Sequence, residues 1–172
     1  MECPYCNYDN IDGVDQCGRC QADLTSMDDL GKGCDLERAL LQTPLGDVST
    51  QDYAVVAPGT SVRETLSCWV SSGYHCAMVV ENDHLVGVFT ERDVLNKIAG
   101  DFESHADKPV SAFMSANPVS LDRRVPIAFG LNRMMVGGYR HVPVLNRGAL
   151  AGVVSVRDIL AFMAKKLTES DQ

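Results

Sequence analysis

The sequence predicts an α+β protein: two copies of an αββα unit packed sheet to sheet as one module, preceded by a small segment held by four cysteines. Three observations predict it. The stretch GVFTERD at 87–93 returns as GVVSVRD at 152–158. In each copy the apolar pattern runs from helical spacing into two short apolar runs and back to helical spacing. Two CxxC pairs, Cys3/Cys6 and Cys17/Cys20, fall within the first twenty residues.

The cysteine segment comes first, over 1–23. CPYCNYDNIDGVDQCGRCQADL has few large apolar side chains and builds no hydrophobic core of its own. Two CxxC turns place four thiolates tetrahedrally around Zn²⁺, whose binding supplies the folding free energy that burial does not. Cys3, Cys6, Cys17 and Cys20 are the expected ligands. Gly18 and Arg19 suit a tight knuckle, with glycine expected at positive φ. A redox CxxC requires a thioredoxin-like βαβ context that is missing here, and two structural disulfides require an oxidising compartment. The segment resembles the short CPxC…CxxC zinc ribbons at the ends of many microbial proteins.

A linker follows over 24–43, polar and glycine-containing at first. Leu36, Ala39 and Leu40 then fall at helical spacing, which predicts a short helix beginning near Asp35 and limited by Pro44.

The repeats occupy 44–108 and 109–172. Gly73-Tyr74 falls on Gly138-Tyr139, Val79-Val80 on Val144-Leu145, Leu85 on Leu150, and Asp93-Val94-Leu95 on Asp158-Ile159-Leu160, without a gap. Upstream, Val56 and Val62 match Val119 and Val125, so the second copy carries extra residues before Gly138. Duplication is the economical reading. Each copy predicts a helix (Val62, Leu66, Trp69, Val70; Val125, Phe129, Leu131, Met134, Met135), then a strand (77–80; 142–145). A turn (ENDH; NRGA), a second strand (85–89; 150–154) and a helix opening at Thr90 or Ser155 complete the unit. Such a unit leaves one sheet face uncovered, so two copies bury together what neither buries alone.

In the repeated motif a hydroxyl and a carboxylate stand three apart at a helix start, Thr90/Asp93 and Ser155/Asp158. That spacing makes a capping box, and capping alone explains both residues. It does not explain Gly87 and Gly152, which remove side-chain bulk where another backbone or a ligand approaches. The same helix end offers free N–H groups and a positive dipole end, which favour phosphate, while its carboxylate can accept ribose hydroxyls.

These paired motifs, with YRHVPVL ahead of the second, resemble tandem cystathionine-β-synthase-type (CBS) domains, the arrangement called a Bateman module. The resemblance covers residues 44 to 167. It implies binding of an adenosine-containing ligand and a regulatory role, with Asp93 and Asp158 on ribose and Thr90 and Ser155 near phosphate. It also implies basic phosphate contacts at the start of the first strand, His75 in copy one, Arg140 and His141 in copy two, with Arg157 beside them. Copy one has His-Cys-Ala-Met where copy two has Arg-His-Val-Pro. Charge-assisted contacts favour arginine, so copy two is the expected nucleotide site. Pairing of such modules implies a homodimer.

Composition narrows the function. Of 172 residues 45% are hydrophobic and 22% charged, and Lys plus Arg is 15 against 23 Asp plus Glu, a formal charge of −8. That sign disfavours nucleic acid as a partner. The start has no basic segment followed by an apolar one, and no stretch approaches the roughly 18 apolar residues of a membrane span, so the expectation is a cytoplasmic protein with no membrane partner. No nucleophile with an orienting acid and no Walker loop is present, so an enzyme is not expected. Met134, Met135 and Trp69 read as core, Cys34, Cys68 and Cys76 as reduced, partly buried thiols, and His84 and His105 as exposed loop residues. The sequence therefore predicts a non-enzymatic regulator: an adenine-nucleotide-binding repeat pair whose zinc ribbon contacts a protein partner. The alternative is a ligand-free dimerisation scaffold with the ribbon as its docking element.

Overall fold

In the computed structural model, which describes residues 3, 8–11, 13–24 and 34–170, the predicted αββα order occurs twice. Along the chain come α1 (Asp35–Gln42), β1 (Ala54–Val56), α2 (Val62–Ser72), β2 (Cys76–Glu81), β3 (His84–Thr90), α3 (Glu91–Lys97), α4 (Phe102–His105) and β4 (Ser115–Ala116). There follow β5 (Leu121–Asp122), α5 (Ile127–Gly137), β6 (His141–Asn146), β7 (Ala149–Ser155) and α6 (Val156–Ser170). The chain is thus α+β, with one sheet in the order β1-β2-β3-β4 and a second in the order β5-β6-β7. The short strands β1, β4 and β5, two or three residues each, were not expected, being too brief to carry a period.

The aligned glycines and turns have one physical cause. Gly73 and Gly138 end α2 and α5 in the left-handed conformation, φ 71° and 67°. A side chain there would meet its own carbonyl, so glycine closes both helices. The two hairpins turn through Asn82-Asp83 and Arg147-Gly148, all four at positive φ. This is the type I′ geometry that matches strand twist.

Two compact units emerge, and each draws on both repeats. Unit 2 comprises Thr50–Ser120 and Leu145–Val153. In it β1 pairs parallel with β2, and β2 pairs antiparallel with β3, Cys76 opposite Thr90 and Val79 opposite Gly87. Strand β2 is buried on both faces. Ala77 and Val79 join Val62, Trp69, Phe89, Ile98 and Val110, while Cys76 and Met78 join Tyr53, Val88 and Val153. Helix α2 covers the first face and is started by a reciprocal cap, Glu64 N–H to Ser61 Oγ at 3.2 Å and Ser61 N–H to Glu64 Oε2 at 3.1 Å.

Unit 1 comprises Met1–Ser49, Leu121–Val144 and Val154–Gln172. Helix α1, expected as part of a linker, packs on α5 and α6. The chain after it is pinned beside α5 by hydrogen bonds from Leu45 N–H to Val125 O (2.8 Å) and from Ile127 N–H to Thr43 O (2.9 Å). Leu45 is fully buried with Ile127, Val142, Val144, Val154 and Ile159, and its side chain fills the space over Gly130 of α5. Met134 lies in this core, whereas Met135 is 75% exposed, contrary to the expectation for it. Cys34 is likewise exposed rather than partly buried. No helix among the described residues is long and apolar enough to cross a membrane.

Candidate functional site

The N-terminal segment brings three of its four predicted ligands together. The sulfurs of Cys3, Cys17 and Cys20 lie within 4.8 Å of one another and all three residues are buried. Cys6 lies outside the described residues. Cys3 Sγ and Cys20 Sγ are 3.6 Å apart. Tetrahedral coordination at a Zn–S distance of about 2.3 Å sets sulfurs about 3.8 Å apart, so the donor set fits zinc in type and spacing.

The backbone of the second CxxC turn wraps Cys17. Arg19 N–H points at Cys17 Sγ (3.4 Å), and the Asn10 side chain donates to the same sulfur at 3.6 Å. Asn10 Oδ1 in turn accepts from Gly18 N–H at 2.9 Å. Burial pushes the Cys17 thiol up, but hydrogen bonds from the Cys20 and Arg19 amides, Asn10 and the Cys20 side chain outweigh it and hold the pKa at about 6. Such a thiol is largely thiolate, the metal-binding form, at neutral pH. One expectation fails: positive φ falls at Gly13 and Gln21, not at Gly18. Gly18 instead presents its amide to Asn10, a partner that the cysteine spacing gave no sign of.

The second-repeat motif is open. At the start of the fifteen-residue α6, Asp158 Oδ2 accepts from Ser155 N–H (2.7 Å) and Ser155 Oγ–H (2.6 Å), and Asp158 N–H returns a bond to Ser155 Oγ at 3.3 Å. The predicted capping box is therefore present. It uses one carboxylate oxygen; Oδ1 has no partner among the described residues. Arg140 sits just before β6, its carbonyl accepting from Val156 N–H at 3.1 Å, which ties the start of β6 to the start of α6. The side chains of Arg140 and Arg157 are exposed, with no ion-pair partner among the described residues. His141 is half-buried at the start of β6. Gly152 lies buried within β7.

The first-repeat motif has the same cap, Thr90 N–H and Oγ–H both reaching Asp93 Oδ2, at 3.0 and 2.8 Å. Its other groups are taken. Lys97 Nζ donates to Asp93 Oδ1 at 2.7 Å, and the Asp93 side chain is 9% exposed. His75 Nδ1 meets Glu91 Oε1 at 2.8 Å. Over Gly87, a Cβ would sit 2.2 Å from Met114 Sδ, so here the close approach is by a neighbouring side chain. Sequence reading missed Lys97 and Glu91, although Asp93 and Lys97 stand at the i,i+4 spacing of a helical ion pair.

The CBS domain family model matches residues 45–100 and 110–165. A CBS domain-containing protein of Arabidopsis thaliana is 30% identical over 102 residues, 59% of this chain and 19% of that protein. The chain spans less than half the length of the first curated relatives it matches. Among solved structures, a CBS-domain containing protein from Agrobacterium tumefaciens superposes with a TM-score of 0.64 at 27% identity, covering 70% of this chain and 98% of that one. A CBS domain protein from Pyrobaculum aerophilum complexed with AMP matches with a TM-score of 0.61 at 23% identity, over 71% of this chain and 98% of that one.

Proposed function

Because this chain belongs to the CBS domain family, we propose that it is a non-enzymatic regulatory protein whose second repeat binds an adenine nucleotide and whose zinc ribbon contacts a protein partner. The observation that carries the reading is the half-used carboxylate of Asp158. One oxygen is consumed by the cap and the other is open at the start of α6. Two vicinal ribose hydroxyls suit such an acceptor, since hydrogen bonds to an ionised group are about twice as strong as neutral ones. The amides and dipole of a fifteen-residue helix, Ser155 Oγ, and the guanidinium groups of Arg140 and Arg157 supply the complement for phosphate. The AMP of the Pyrobaculum aerophilum protein is consistent with this choice of ligand.

Cys3, Cys6, Cys17 and Cys20 are the zinc ligands in this reading. The metal supplies the folding free energy of a segment that buries little else. Ala22 and Leu24 lie in one apolar cluster with Leu45 and Ile127 of the same unit, so the ribbon is seated on the folded part of unit 1. A ligand at Asp158 that favours one arrangement of α6 and β6 then acts on the unit that carries the ribbon, as a regulator requires. Homodimerisation belongs to the same reading, supported by exposed apolar residues Met135 and Val136 on α5 and Leu160 and Leu167 on α6.

Titration calorimetry with adenosine, AMP, ADP, ATP and GTP tests it. The expected result is binding of the adenine nucleotides, weaker binding of adenosine, and loss of that difference in Arg140→Gln. Absence of heat with every nucleotide would overturn it in favour of a ligand-free scaffold, and equal binding of GTP would overturn the choice of an adenine nucleotide.

A further inference from the structure

We infer that Lys97 is a built-in occupant of the first repeat's carboxylate, so that each chain holds one adenosine ligand, in the second repeat; this rests on the reading of Asp158 given above. Position by position, the two copies differ where a ligand would have to bind. His75, Glu91, Asp93 and Lys97 of the first correspond to Arg140, Val156, Asp158 and Phe162 of the second.

In the first repeat both oxygens of Asp93 are in use. Oδ2 takes two bonds from Thr90, and Oδ1 takes the Lys97 ammonium at 2.7 Å. Lys97 is itself held at a second point, donating to Phe113 O at 2.5 Å. Lys97 is itself exposed, but its ammonium is fixed at two points, and one of them is a buried carboxylate. A ribose hydroxyl would have to replace a charged donor with a neutral one, which weakens the bond to Asp93. The basic residue ahead of the first long strand is also engaged, His75 by Glu91 at 2.8 Å.

The second repeat lacks each of these devices. Val156 replaces the acid and Phe162, packed into the core of unit 1, replaces the lysine. What remains is an open Asp158 Oδ1 with two arginines that have no acidic partner among the described residues. The duplicated motif has thus diverged into one self-satisfied copy and one unsatisfied copy.

The experiment is native mass spectrometry of the zinc-loaded protein with AMP, on wild type, Lys97→Met, Lys97→Gln and Lys97→Arg, with folding followed by circular dichroism. The expected result is one AMP per chain for wild type and Lys97→Arg, and two per chain for Lys97→Met and Lys97→Gln. Two AMP per wild-type chain overturns the inference without need of any variant and leaves the nucleotide reading standing. So does a folded Lys97→Met or Lys97→Gln protein that stays at one, or in which affinity for the single AMP falls, since Lys97 would then be a ligand contact. No AMP on any form removes the nucleotide reading and the inference with it.

Discussion

Asp158→Ala separates a helix cap from a ligand site. The substitution removes the acceptor of two hydrogen bonds from Ser155, at 2.7 and 2.6 Å, while Ser155 Oγ stays in place at the start of α6. Losing half of a capping box costs about 1 kcal/mol. For a chain of this size that lowers the melting temperature by about 2–4 °C. Binding loses more. Two ribose hydroxyls on a carboxylate are worth at least about 1.5 kcal/mol each, so the variant weakens binding by roughly 3 kcal/mol, or about 150-fold. At AMP one hundred times the wild-type Kd, wild type gains about 2.7 kcal/mol from ligand and the variant about 0.3 kcal/mol. Thermal melts with and without AMP read both effects at once. Without ligand the two proteins differ by a few degrees; with it the gap widens by several more. A variant that keeps the wild-type ligand-induced rise would refute the reasoning and leave Asp158 as a cap only.

The proposed zinc site makes two further predictions. Zinc is held by thiolates, so protons compete with it for the four cysteines and zinc release followed with a chromophoric chelator rises as pH falls; a pH-independent release would show that the cysteines do not hold the metal. Asn10→Ala, which removes one N–H from Cys17 and a partner from Gly18, speeds zinc release by about 10- to 100-fold, and an unchanged rate would show that Asn10 merely fills space. In the core, Gly130→Ala goes against helix propensity: alanine normally gains about 0.5–1 kcal/mol over glycine inside a helix, but here its Cβ would lie 2.7 Å from Leu45 Cδ2. Leu45 is fully buried, so the variant is destabilised by about 1–3 kcal/mol in urea denaturation.

The repeated architecture was legible because its signals are local and occur twice. Gly73 and Gly138 end helices, Asn82-Asp83 and Arg147-Gly148 turn hairpins, and Thr90/Asp93 and Ser155/Asp158 cap helices, each through backbone chemistry confined to a few residues. Strands β1, β4 and β5 were not legible, because two or three residues carry no period and their pairing is set by distant partners such as Ala77 and Gly87. Met135 misled for a related reason. Its helix is apolar nearly all round, so spacing alone did not say which face is covered.

The candidate site divides along the same line. The hydroxyls, carboxylates and cysteines announce themselves by spacing. What distinguishes the copies is a set of partners: Lys97 on Asp93, Glu91 on His75 and Met114 over Gly87. Two of these come from elsewhere in the sequence relative to the group they engage. The Asp93–Lys97 spacing was visible, but only the depth of Asp93 turns an ordinary helical pair into the occupant of a site.

The most direct test of the account is the native mass spectrum of the zinc-loaded protein titrated with AMP. The account predicts chains carrying one zinc and, as AMP is added, one AMP each, with about 150-fold more AMP needed to load Asp158→Ala. Chains that hold zinc but take up no AMP, ADP or ATP would contradict it and leave the open carboxylate of Asp158 as a helix cap in a scaffold.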